Sequence, residues 1–354
     1  MSDSLKQDQR SGDESTNIQA QTVELHYHGI TASEARQIAL DVFKANALEL
    51  VGIGKELFES RGREFVDRYL AELRKRRPEG LESLRDPDMQ YALFTAQRDY
   101  ARTGRADLEA VLIDLLVERA AAITDLKRIV LNEAIAVAAK LTEAQLDALS
   151  AILILVHGVP FRYSFESRMD FRDFLSRYVT CFIHEDLAAR ATYLHLKYVG
   201  CASMDSGGTS LFVRFAEVFP GCLTMGFNNA SPGFGTDERA LHELATTKIP
   251  DLIMPCWHNP DNWQTKPMDD RTFWWSCKSR GLDDDTILQF RLQGARLAPQ
   301  GGDFLRALDL RLDIVVGPFS PLRDVQLTSV GIALANANIR RKTGLEFDLG
   351  IWIK

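Results

Sequence analysis

PDMQYALFTAQRDYARTGRADLEAVLIDLLVERAAA, Pro87 to Ala122, decides the fold. Its apolar residues return at intervals of three and four, the spacing that puts side chains on one face of an α-helix. Asp86 stands before the first run as a cap, and Gly104 closes it in the manner of a helix C-terminus. The second run starts almost at once. Two more follow, DLKRIVLNEAIAVAAK (Asp125 to Lys140) and TEAQLDALSAILILVHG (Thr142 to Gly158), each opening near an Asp or Thr cap. Short connections between capped amphipathic helices mark antiparallel neighbours in a bundle. The runs share no repeat, which excludes a solenoid of recognisable type.

Upstream, Thr31 or Ser33 caps a helix expected to reach about Arg77, where Pro78 and Gly80 stop it. Gly52, Gly54 and Gly62 weaken its middle, so one long helix and two helices broken near Gly62 both fit. It ends in LRKRRP (Leu73 to Pro78), read as cations suited to a helix C-terminus or as a phosphate-binding patch. Before it, GDESTNIQAQTVELHYHG (Gly12 to Gly29) alternates in two opposite phases, Ile18 and Ala20 against Val23, Leu25 and Tyr27. That slip fits two short strands or one bulged strand. Residues 1–16 read as a polar tail and 17–30 as a short β-element needing a partner, supplied by the same segment of a second subunit.

Downstream, composition changes near Phe161, in HGVPFRYSFES, and 161–354 is expected to be a mixed α+β region. Helices are expected at Met169 to Cys181 and Leu187 to Val199, then a short strand, a glycine turn and a helix in GCASMDSGGTSLFVRF. Residues 220–281 are rich in Gly, Pro, Asn and Trp and read as irregular loops of a length that points to function or insertion. Helices return in LDDDTILQFRLQGARLA and GGDFLRALDLRLDIVV, and the chain closes at 325–354 with LTSVGIALANANIRRKTG and an apolar terminal strand, FDLGIWIK. The fold class is therefore mainly α: a short β-element, a long N-terminal helix and a helical bundle, then the mixed region.

Composition bounds the function. The chain has 354 residues, 45% of them hydrophobic, with a formal net charge of −7, enough apolar matter for substantial cores and no global positive field for nucleic acid. The first residues lack the pattern of a secretory signal, and the longest apolar run, Leu149 to Val156, is far short of the roughly 20 residues that span a bilayer. A soluble cytoplasmic protein with no membrane contact is expected. Five cysteines, Cys181, Cys201, Cys222, Cys256 and Cys277, are odd in number and widely spaced, which fits reduced buried thiols.

Several tracts carry a resemblance. GDESTNIQA, ARQIALDVFKANALEL, DPDMQYALFTAQRDYARTG, LHLKYVGCASM and LTSVGIALANANIRRKTGLEFDLGIWI, in this order, resemble an uncharacterised bacterial family whose name is built from two genomic locus tags. The resemblance implies no activity, cofactor or catalytic residue. GDESTNIQA is also similar to a glycine-aspartate element found ahead of varied bacterial signalling and phage-defence-like proteins, although AQTVELHYHG stands where those carry a second Gly-Asp pair. That similarity implies self-association or sensing.

Candidate chemistry is sparse. Cys256 and His258, with Asp261 behind them, carry donors for a nucleophile pair or a metal, yet zinc spacing is missing. No metal or cofactor is expected. Trp257, Trp263, Trp274 and Trp275 place four tryptophans in nineteen residues, a contact surface for a ligand or protein, or anchors of irregular loops. His26 and His28 share a strand face and read as exposed polar positions. His184, Glu185 and Asp186, and the run Asp283 to Asp285, read as acidic helix starts. The stretch at Thr328 is similar to the strand-to-helix junction of winged-helix domains, with Arg340, Arg341 and Lys342 at the far end as phosphate-contact candidates.

Three functions follow as expectations. The first is a non-enzymatic oligomeric adaptor or sensor, in a stress or phage-defence setting, self-associating through residues 17–77 with a partly coiled-coil stalk and contacting a protein partner. The second is a DNA-associated regulator using the winged-helix-like end. The third is a hydrolase using Cys256 and His258.

Overall fold

The computed structural model describes residues 31–45, 53–158, 161–204, 210–228, 238–294, 296–317 and 320–353. The expected tail and β-element, with His26 and His28, lie outside the described residues. Helix α1 (Ala32–Ala45) opens with a reciprocal cap: Glu34 N donates to Thr31 Oγ1 at 3.2 Å, and Thr31 N donates to the Glu34 carboxylate at 2.8 Å. Helix α2 (Ile53–Arg76) runs unbroken through Gly62. That glycine is a packing site, since a Cβ there would meet the Phe43 ring at 2.6 Å. Phe43 stacks on Phe58 at 4.9 Å, and Arg36 pairs with Asp67 at 2.7 Å, so α1 and α2 lie antiparallel.

Among the described residues, the apolar stripe read as an intersubunit stalk packs within the chain. Phe65, Val66, Tyr69, Leu70 and Leu73 of α2 are buried within the chain's own core, and Leu57 is the large apolar side chain left exposed among the described residues of α1 and α2. A helix whose apolar stripe is already covered offers no heptad face to a second copy.

Helices α3 (Pro87–Thr103), α4 (Ala106–Ala120), α5 (Asp125–Ala138) and α6 (Glu143–Ile152) form the bundle. Their ends follow local chemistry. Asp86 accepts from Asp88 N ahead of α3, Thr124 from Lys127 N ahead of α5, and Thr142 and Gln145 form a capping box on α6. Gly104 takes φ 64° at the end of α3. Helix α6 continues into a π-helical turn, Leu153–Gly158.

The remaining elements are α7 (Arg168–Tyr178), α8 (Arg190–Tyr198), β1 (Ala202–Met204), α9 (Leu211–Val218), α10 (Glu238–Lys248), β2 (Ile253–Pro255) and β3 (Trp263–Thr265). They are followed by α11 (Asp270–Lys278), α12 (Asp284–Gly294), α13 (Gly301–Leu308), α14 (Leu312–Val316), β4 (Val325–Leu327) and α15 (Ser329–Thr343). The protein is mainly α with two small antiparallel pairs: β1 on β4, with Ala202 opposite Leu327, and β2 on β3, with Ile253 opposite Thr265. Much of the stretch read as irregular loops is thus ordered as α10, the β2 and β3 hairpin and α11. Its three-residue strands and short helices are below the length at which periodicity shows.

Helix α15 is the centre of the molecule. Every residue from Gly331 to Ile339 is buried, and the helix packs on α4, α5 and α6. Thr328 caps it by accepting from Gly331 N, and Gly331 lets it close on β1, because a Cβ there would lie 2.0 Å from the Cys201 carbonyl oxygen. The expected strand-to-helix junction therefore exists, but its helix is interior. The expected terminal strand is a 3-10 turn, Leu349–Ile351, since Asp348 accepts from Gly350 N at 2.9 Å and locks a turn.

One buried cluster runs from α1 to Ile353, continuous across residue 161. A second, with Phe227, Leu241, Ala245, Ile249, Phe273 and Phe290, belongs to a smaller lobe. The chain enters and leaves this lobe side by side: Thr224 and Leu297 form an antiparallel bridge, with Met225 N donating to Arg296 O at 2.7 Å. The lobe is an insertion docked on the main body.

Candidate ligand cavity

Where the lobe meets the body there is a cavity of about 620 Å³, a volume typical of small-molecule sites, which favour such junctions. The π-helical turn gives Val156, His157 and Gly158, the following segment Phe161, Arg162 and Tyr163, helix α9 Arg214, Glu217 and Val218, and the start of α11 Asp269, Asp270 and Arg271. Strand-like alternation sorts the second of these: Phe161, Tyr163 and Phe165 are buried while Arg162, Ser164 and Glu166 are exposed. The buried rings join a cluster with Phe171, Phe174 and Phe219. Backbone bonds from Phe165 N to Pro267 O (2.8 Å) and from Asp269 N to Tyr163 O (3.1 Å) fasten this segment to the lobe.

The cavity's carboxylates are committed. Glu217 pairs with Arg214 at 3.1 Å, and Asp270 pairs with Arg291 at 2.9 Å. Asp269 caps α11, accepting from Thr272 N at 3.0 Å and from the Thr272 hydroxyl at 2.7 Å. Arg162 and Arg271 have neither a hydrogen bond nor an ion pair among the described residues. His157 accepts at Nε2 from Leu327 N (3.0 Å), so in the neutral ring the proton sits on Nδ1, which has no partner among the described residues. Burial holds the His157 pKa below its ordinary value, favouring that neutral form. Tyr163 donates its hydroxyl to Val218 O at 3.1 Å, and burial pushes its pKa well up, so it stays protonated.

A second groove of about 420 Å³ lies between α2, α4 and α15 over a floor of Ala71, Ala110, Ile113 and Ala337. Here every charged wall residue is paired. Arg68 meets Glu109, Glu72 meets Lys75, Arg76 meets Asp114 at 2.6 Å, and Arg340 meets Asp114 at 3.3 Å and Glu346 at 2.7 Å. Burial pushes the Asp114 pKa up to about 6 against the pull of Arg76 and Arg340.

The residues singled out by sequence are dispersed. Cys256 and His258 do not address one another: Cys256 Sγ donates to Thr224 O at 3.4 Å, and His258 Nε2 donates to Cys222 O at 2.9 Å. His258 packs edge-on to Phe304, and burial lowers its pKa. Trp257 is buried against Phe171 and Phe304, an anchor that ties the lobe's hairpin to the main core. Trp263 lies in β3, whereas Trp274 and the more exposed Trp275 lie on α11 in an edge-to-face pair, with Lys278 over the Trp274 ring at 5.2 Å.

Arg340, Arg341 and Lys342 are tied into the body. Besides the Arg340 pairs, Arg341 meets Glu143 at 2.9 Å, and Lys342 meets the fully buried Asp147 at 2.6 Å. His184 donates to that same carboxylate at 2.6 Å, and Asp283 caps α12 by accepting from Thr286 N at 2.7 Å. In LRKRRP, Arg76 also reaches Glu118 at 3.3 Å.

The model of an uncharacterised protein family matches residues 29–353. The chain belongs to that family. No curated protein and no solved structure matches it. Among the described residues no group of three or more His, Cys, Asp or Glu side chains is placed to hold a metal ion, and no helix is long and apolar enough to cross a membrane. The cavity residues His157, Arg162 and Arg271 were missed in sequence because they lie in separate segments. The alternation in FRYSFE was the available signal for Arg162.

Proposed function

We propose that the protein is a small-molecule sensor whose ligand occupies the cavity between the main body and the inserted lobe. The observation that carries this reading is a cavity of about 620 Å³ walled by polar groups from both bodies, with uncommitted donors among them. A ligand held there contacts α11 on the lobe and the π-helical turn on the body at once, so its binding free energy favours one placement of the lobe. The adaptor part of the reading rests on the exposed Trp274 and Trp275, on the same helix α11 that borders the cavity. For the hydrolase alternative, Cys256 and His258 bond to different carbonyls rather than to one another, and the α15 cations of the regulator alternative are ion-paired.

The test is a thermal-shift and ligand-observed NMR screen of the full chain against a defined panel of anionic, neutral and cationic metabolites. Binding at a hundredfold excess over Kd stabilises a protein by about 2.7 kcal/mol. At least one compound is expected to stabilise the wild type, to lose its effect in the cavity-filling variants Val218→Trp and Val156→Phe, and to change amide exchange in α11. If no compound of any class binds, the sensor reading fails.

A further inference from the structure

Charge bookkeeping in the cavity narrows the ligand. The lining holds three carboxylates, but Glu217 is neutralised by Arg214, Asp270 by Arg291, and Asp269 is spent capping α11. Counting Arg291, four guanidiniums stand against three carboxylates, and among the described residues the guanidiniums of Arg162 and Arg271 have no partner. Arg271 sits in the first turn of α11 beside Asp269 and Asp270, and both of those carboxylates are engaged elsewhere, by Thr272 and by Arg291. His157 adds an Nδ1–H donor without a partner among the described residues and, with Nε2 occupied by Leu327 N, no acceptor. A cationic ligand would find no uncommitted carboxylate there, and an apolar ligand would leave two guanidiniums desolvated.

We infer that the cavity takes a small metabolite carrying a multiply charged oxyanion, a phosphate or polycarboxylate group, held between Arg162 and His157 on the body and Arg271 on the lobe. The inference rests on the sensor reading and deepens it. Guanidinium binds such groups through paired charge-assisted hydrogen bonds, and an anion bridging the two arginines ties the lobe to the body.

The experiment is isothermal titration of the full chain with pyrophosphate, citrate, spermidine and glucose, in wild type, Arg162→Gln, Arg271→Gln and the double variant. Circular dichroism would verify folding, which loss of two unpaired side chains should leave intact. Pyrophosphate or citrate is expected to bind the wild type, each single variant to weaken it on the order of tenfold, and the double variant to abolish it. Preference for pyrophosphate identifies a phosphate-bearing ligand; preference for citrate identifies a polycarboxylate. Anion binding that survives the double variant overturns the inference. Binding of a neutral or cationic compound that Val218→Trp blocks and the arginine variants spare overturns the inference and leaves the sensor reading standing. Absence of binding by all four compounds overturns the inference, and the sensor reading falls with it only if the metabolite screen is silent as well.

Discussion

The groove between α2, α4 and α15 and the cavity beneath the lobe are both lined by arginines, yet only one has cations to spare. In the groove, Arg68, Arg76, Arg340 and Arg341 each face a carboxylate, and the salt bridges join α2, α4, α6 and α15 into one body. In the cavity, Arg162 and Arg271 have no carboxylate partner among the described residues. A run of cations in sequence is thus a poor guide to an available positive charge. What decides is whether acids from other helices arrive beside them.

Breaking the groove should cost the most. Arg76 is about nine-tenths buried and serves Asp114, Glu118 and Glu346, so Arg76→Ala strands buried carboxylates and should destabilise by about 3–5 kcal/mol in urea unfolding. A cost below about 1 kcal/mol would mean that the network is not structural. A smaller effect is expected from pH. Asp114 has a folded pKa of about 6, above the ordinary 3.8 of the unfolded chain. Its contribution is therefore fully present below pH 3.8 and is lost as pH rises through 6, a change on the order of 1–3 kcal/mol. The stability of wild type relative to Asp114→Asn should fall across that window, and a flat difference would contradict the assignment. The cavity arginines come last: Arg162→Ala and Arg271→Ala should each alter stability by less than about 0.5 kcal/mol. A larger loss would show that they carry structural contacts.

The fold was legible where helices are long and capped. Asp86, Thr124, Thr142 and Gly104 mark the bundle helices that contain them or begin beside them, because caps and three-four spacing act locally. Gly62 left one helix or two open in sequence because of its low helix propensity; among the described residues there are two, α1 ending at Ala45 and α2 starting at Ile53, and α2 runs through Gly62 because the space it leaves is filled by Phe43 of α1. The buried position of α15 was hidden because a helix surrounded on all sides is distinguished by small residues rather than by an amphipathic stripe. The cluster Arg340, Arg341 and Lys342 then looked available, and its partners Asp114, Glu143 and Asp147 lie nearly two hundred residues or more away in sequence. Trp257 and Trp275 divided between anchor and surface, a difference set by tertiary packing that composition does not carry. The cavity was least legible of all, since its donors come from a π-helical turn, one exposed alternation and the first turn of a short helix.

The measurement that bears most directly on this account is the pyrophosphate titration extended to one groove variant, Arg341→Ala, beside the Arg162→Gln and Arg271→Gln double variant. The account predicts that Arg341→Ala binds as the wild type does, while the cavity variant shows no heat of binding. Loss of binding in Arg341→Ala with retention in the cavity variant would place the free positive charge at the end of α15 and contradict it.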